Sequence, residues 1–172
     1  MGGNTQIVMR IKDKPNKYPK RIRLKDFPYQ GCHHYFITLR CHNQAGHFTN
    51  GNFVVETLAI LKNTAMQKNF YGWAYCFMPN HLHLLVEGKT EAADMRGFIS
   101  VFKQKAAFRF KRRYGTRLWQ PNYYERVLRK DETTAAVARY IIENPVRKGL
   151  AKDYAQYPFS GSVEVSDISQ IL

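Results

Sequence analysis

Two histidines and a tyrosine draw attention for what their types and spacing permit. His81 and His83 flank Leu82 in the apolar run from His81 to Glu87. Side chains alternate along a strand, so the two imidazoles share one face while Leu82 and Leu84 turn to the other and bury against helices. Two imidazoles on one face can ligate one cation. The same spacing also suits two ordinary histidines on a half-exposed strand. A structural zinc shared with Cys76 is a third reading, weakened because four ligands at standard spacing are not found nearby. Tyr140 and Asn144 stand at i and i+4, one turn apart on a helix face. A phenol attacks a phosphodiester only after giving up its proton, and a cation on the phosphate makes phosphorus easier to attack. Asn144 would add an amide oxygen to the two imidazoles and leave positions open for a substrate phosphate. Their plainer roles are an aromatic packed on a sheet and an asparagine ending a helix before Pro145.

Charge says what the partner would be. The 172 residues carry a net +14, from 27 Lys and Arg against 13 Asp and Glu. Residues 1–28 hold +6 and residues 96–130 hold +10, which leaves the remainder slightly acidic. Charge concentrated in two segments is the footprint of a polyanion site, because each neutralised phosphate releases condensed counterions. A basic surface kept for solubility is the alternative. Within the second segment Lys103, Lys105, Arg109, Arg112, Arg113 and Arg117 are the candidate contacts to a sugar-phosphate backbone, with Phe108, Phe110 and Tyr114 placed to stack on bases or to fill a core.

The elements that must position these groups are legible as periodicities. Tyr35–Cys41 and Trp73–Met78 are rich in β-formers and read as strands. Pro79-Asn80 is turn chemistry, so His81–Glu87 pairs with Trp73–Met78 as a hairpin. Phe53–Lys68 and Asp94–Tyr114 space their apolar residues as helices, the second ended by Gly115. Tyr123–Arg129 reads as a fourth strand. Thr133–Glu143 reads as a helix that stops near Asn144, followed by a loop and a short tail. The order β-α-β-β-α-β plus a terminal helix predicts an α+β, ferredoxin-like split β-α-β fold: a central antiparallel sheet, helices packed on it, and a C-terminal helix carrying Tyr140. One domain over 31–160 is expected between a basic arm (1–30) and a tail (161–172). No run approaches a membrane span, and three cysteines (Cys32, Cys41, Cys76) without CxxC spacing suit a reducing cytoplasm.

Taken together, AYCFMPNHLHLLVE (74–87), LWQPNYYERVLR (118–129), YIIENPVRKGL (140–150) and YPFS (157–160) resemble the REP-associated tyrosine transposases of the HUH endonuclease superfamily. The motifs stand in that family's order and the likeness spans roughly residues 31–160. It implies Tyr140 as nucleophile, His81 and His83 as metal ligands, and Asn144 as a third ligand where insertion-sequence relatives often carry glutamine. It implies Mg²⁺ or Mn²⁺ as cofactor, and single-stranded or hairpin DNA of the repetitive-extragenic-palindrome kind as partner. It further implies a covalent 5′-phosphotyrosine link that frees a 3′-hydroxyl. Such proteins act as homodimers in some branches and as monomers in others. The residues 1–28 match nothing in the family pattern.

Two rivals explain part of the pattern. A non-catalytic single-strand-binding module on the same fold accounts for charge and aromatics but not for the paired histidines with a Tyr-x-x-x-Asn helix. A metal-dependent phosphoesterase would use water in place of Tyr140. If residues 96–130 neutralise the phosphates, alanine at Lys105, Arg109 and Arg112 together should flatten the salt dependence of DNA binding by up to about three units of slope, nearly one for each phosphate no longer neutralised. An unchanged slope in a filter-binding or anisotropy titration would put the DNA elsewhere.

Overall fold

The computed structural model describes residues 26–129 and 131–172; the expected basic arm lies outside them as far as residue 25. The elements are β1 (His34–Arg40), α1 (Gly51–Gln67), β2 (Phe70–Met78), β3 (His81–Gly88), α2 (Met95–Tyr114), β4 (Tyr124–Val127), α3 (Thr134–Ile142), α4 (Asn144–Arg147) and β5 (Ser160–Gly161). They form one five-stranded sheet in the order β4-β1-β3-β2-β5, with every neighbouring pair antiparallel. The expected α+β arrangement is therefore present, with a fifth strand added at its edge.

The sheet separates two cores by the parity of its strands. Tyr35, Ile37 and Leu39 of β1, Tyr75 and Phe77 of β2, and Leu82, Leu84 and Val86 of β3 pack on one side against α1 and α2. The helices supply Phe53, Val54, Leu61 and Ala65, and Phe98, Ile99, Phe102, Ala106 and Phe110. Phe36, Ala74, Cys76, Met78 and Leu85 face the other way and meet Val137, Ala138 and Ile141 of α3. Local chemistry starts and stops the helices. The side chains of Asn50, Asp94 and Thr133 accept from Phe53, Arg96 and Ala136 backbone N–H groups, and Gly115 closes α2 at φ 71°.

Three expectations are corrected. Tyr140 and Asn144 do not share the face of one continuous helix: α3 ends at Ile142, close to the expected stop, and a separate short α4 begins at Asn144, because Pro145 has no N–H to continue the ladder and opens a new turn instead. The segment after Pro145 is not a plain loop and tail, since it contributes α4 and β5, and Ser162 and Val163 both donate to the Gly72 carbonyl. The packed domain also begins before residue 31, with Tyr29 fully buried in the larger core.

Strand β2 starts three residues earlier than its pattern predicts, for a readable reason. Its pairing with β3 shifts between Gly72 and Ala74, a bulge at Trp73. The extra residue reverses the parity, so Phe70 joins Tyr75 and Phe77 in the larger core while Trp73 stays against the smaller one. A sequence alternation cannot survive that insertion. Gly88 ends β3 where the chain from Gly31 crosses it, and a Cβ there would lie 2.1 Å from the Gly31 carbonyl oxygen. Backbone cannot yield as a side chain can, so Gly88→Ala should destabilise the fold by about 1–3 kcal/mol, read as a lower urea midpoint with an unchanged m-value.

Candidate functional site

His81 and His83 sit on β3 with their rings on the α3 side of the sheet, opposite in parity to Leu82 and Leu84. Their Nε2 atoms approach to 3.0 Å. Each Nδ1 is held by a different element: His81 Nδ1 lies 2.6 Å from Asn80 Oδ1, and His83 Nδ1 lies 2.9 Å from Thr38 Oγ1. Proton accounting sets a direction. Asn80 Oδ1 only accepts, so His81 carries its proton on Nδ1 and offers a lone pair at Nε2. His83 then donates from Nε2, and its Nδ1 accepts from the Thr38 hydroxyl. The chain runs Thr38 to His83 to His81 to Asn80, every donor matched to an acceptor.

Both imidazoles are neutral. Burial, followed by the cations Arg40 and Lys148, lowers His81 from 6.5 to about 4. Burial, then His81, Arg147 and Arg40, lowers His83 to about 3. A neutral imidazole keeps the lone pair that a cation needs. Cys76 faces His83 across the β2–β3 ladder, but burial raises its thiol to about 12 and its Sγ donates to Met78 Sδ at 3.7 Å. Among the described residues no three His, Cys, Asp or Glu side chains are gathered to hold a metal, so the zinc site considered with Cys76 is not formed.

Tyr140 reaches the same face through Phe36. The Phe36 ring stacks on His83 at 5.6 Å and meets the Tyr140 ring edge-on at 6.0 Å. Tyr140 remains 51% exposed, on the outer turn of a helix whose Val137, Ala138 and Ile141 are buried. Asn144 is buried at the start of α4, next to Pro145. Arg147 lies over the Tyr140 ring at 4.3 Å.

The basic helix lies elsewhere. The apolar face of α2 packs on the Leu82/Leu84 side, so its cations project away from the histidine pair. Lys105 donates to Gln67 Oε1 at 2.8 Å, Arg113 pairs with Glu56 at 3.2 Å, and Lys103 donates to the Gln120 and Pro121 carbonyls. Arg109, Arg112 and Arg117 are exposed. Phe110 is core, whereas Phe108 is 61% exposed beneath Arg112. Sequence reasoning missed the groups around the histidines: Thr38, Asn80, Phe36, Arg40, Arg147 and Lys148. Arg147 and Lys148 lie within the YIIENPVRKGL run, and Asn80 within the turn, but Thr38 and Arg40 are placed only by their pairing with His83 and His81.

A family model described as "Transposase IS200 like" matches residues 30–144, two thirds of the chain. The chain belongs to this transposase family. Its members are enzymes that act on DNA. A Haemophilus influenzae protein assigned by name to the REP-associated tyrosine transposases is 26% identical over 147 residues, covering 79% of this transposase and 82% of the relative. A second, uncharacterised H. influenzae protein is 26% identical over 160 residues, covering 74% and 88%. Among solved structures, a REP-associated tyrosine transposase bound to a REP hairpin superposes with TM-score 0.67 at 20% identity, over 80% of this chain and 81% of that one. A protein of Deinococcus radiodurans assigned by name to the transposases gives 0.51 at 21% identity, over 69% and 95%. No described helix of this transposase is long and apolar enough to cross a membrane.

The depressed histidines carry a stability signature. Unfolded imidazoles protonate near 6.5, whereas the folded pair is held at about 4 and about 3. The unfolded chain takes up protons first, so the contribution is complete above pH 6.5 and is lost as the pH falls toward 4 and 3. Urea midpoints measured in chelator should drop across that window, and His81→Gln with His83→Gln should reduce the drop. A double variant with the wild-type pH slope would assign the acid sensitivity to other groups.

Proposed function

We propose that this transposase cuts and rejoins single-stranded DNA beside hairpins, with Tyr140 as nucleophile and a divalent cation, Mg²⁺ or Mn²⁺, held by His81, His83 and Asn144. The observation that carries the reading is the convergence of two neutral imidazoles at 3.0 Å with Tyr140 joined to them through Phe36 on one face. Two ligands about 2.1 Å from an octahedral cation lie about 3.0 Å apart when adjacent, so the pair fits such an ion. Cation binding needs both Nε2 lone pairs. His81 already offers one; His83 supplies the other by carrying its proton on Nδ1, from which it donates a hydrogen bond to Thr38 Oγ1. Thr38 and Asn80 thus fix both rings from behind, a support whose loss ordinarily weakens metal affinity about 10–100-fold.

When bound, the cation polarises the scissile phosphate. Tyr140 Oη forms a bond to phosphorus as the bond to the 3′-oxygen breaks. The phenol gives up one proton and the departing oxygen takes one up, leaving a 5′-phosphotyrosine and a 3′-hydroxyl. Attack by that hydroxyl reverses the step and rejoins strands without ATP. Arg40 and Lys148 put positive charge around His81, where a phosphate would sit. Hairpin DNA as partner is supported by the fold shared with the hairpin-bound structure. The exposed cations of α2, on the other face, are proposed to hold a separate stretch of the same DNA. A homodimer is compatible with this arrangement and is not required by it.

Incubation with a labelled hairpin carrying single-stranded flanks, in Mn²⁺, should give a protease-sensitive slow band on a denaturing gel. Tyr140→Phe should abolish cut and band while leaving DNA affinity nearly unchanged, and His81→Ala or His83→Ala should block cutting through the metal. A band that persists in Tyr140→Phe and disappears in Tyr123→Phe or Tyr124→Phe would move the nucleophile. Cutting without a band in every tyrosine variant would favour water, and binding without any cutting would leave a non-catalytic module.

A further inference from the structure

Tyr140 has an unusual problem for a nucleophile: half of its surface is exposed, so core packing does not hold its ring. The edge contact with Phe36 constrains one side. A face of the ring is covered by Arg147, whose guanidinium carbon lies 4.3 Å from the ring centroid. That guanidinium is itself pinned twice. Nη2 donates to the backbone carbonyl of Tyr140, and Nη1 lies 3.4 Å from Glu143 Oε2. A planar fork can reach a carbonyl and a carboxylate at once and still lie flat on an aromatic face, which an ammonium cannot do. The bonds also span the break between α3 and α4, tying the helix that carries Tyr140 to the one that begins with Asn144.

Building on the assignment of Tyr140 as nucleophile, we propose that Arg147 is a positioning residue that holds the Tyr140 ring in its place beside Phe36 and so fixes the direction from which its oxygen meets the phosphate. Fixing a reactive group before the reaction removes orientational freedom from the barrier, so the effect belongs to the rate of the bound complex and not to DNA affinity.

The test is single-turnover cleavage of the hairpin substrate in Mn²⁺, with rate at saturating DNA and dissociation constant measured separately. Arg147→Ala should slow the saturated rate about tenfold, the scale of an exposed cation–ring contact together with its two hydrogen bonds, while the dissociation constant moves less than about twofold, since the clamp is intramolecular. Arg147→Lys should restore only part of the rate, and Glu143→Gln, which weakens one anchor, should slow it less than alanine does. Should Arg147→Ala fail to fold, the lysine and Glu143 variants decide. Arg147→Lys at the wild-type rate overturns the clamp, as does an alanine defect that vanishes when DNA is raised, which would make Arg147 a phosphate contact instead. The wild-type adduct is the control that separates the two ideas. No adduct in the wild type removes the nucleophile assignment, whereas a normal adduct with unaffected Arg147 variants removes only the clamp.

Discussion

The register of β1 against β3 is the constraint on which the site rests. It sets Thr38 opposite His83 and Arg40 opposite His81. Sliding β1 by one residue would exchange the faces of every side chain it carries, burying Thr38 and Arg40 among the residues of the larger core and turning Tyr35 and Ile37 outward. That exchange would unpair a hydroxyl and a guanidinium in an apolar environment and expose large apolar surface, two penalties of the same sign. The larger core therefore enforces the alignment of the histidine pair without touching it. The site is precise because something else is hydrophobic.

Phe36 shows how the two halves of the site are joined. It belongs to β1, stacks on His83, and meets Tyr140 in a T-shaped contact. Arg126 of β4 covers it from another direction and is itself held by Glu132. An apolar ring in contact with both Tyr140 and His83 makes no demand for hydrogen bonds. Through it the helix that carries Tyr140 is tied to the strand that carries the histidines.

Much of this was legible from residue patterns. The alternation around Leu82 placed both imidazoles on one face, and the β-α-β-β-α-β order fixed the sheet. Gly115 ended α2 where expected, because an αL position after a helix nearly demands glycine. What the patterns hid has a common cause. The bulge at Trp73 breaks the period of two, so the start of β2 was invisible to alternation. Thr38 is an ordinary strand threonine until β3 lies beside it, since cross-strand partners are set by long-range pairing. A two-residue strand such as β5 has no periodicity to detect. The amphipathic reading of α2 was correct about which residues are apolar, but a helix alone does not say which side of a sheet it will cover. The crossover between β3 and β4 decides that, and it put the cations on the side of the sheet away from the histidine pair.

That last placement limits what kind of ligand can use the whole molecule. From the outer surface of α2 to the histidine side of the sheet lies at least a helix diameter, about 10 Å, and the strand layer beyond it. No compact molecule touches both. Only something long and flexible enough to pass around the rim of the sheet can be gripped behind while being handled in front. A short oligonucleotide could therefore occupy one surface or the other but never both together.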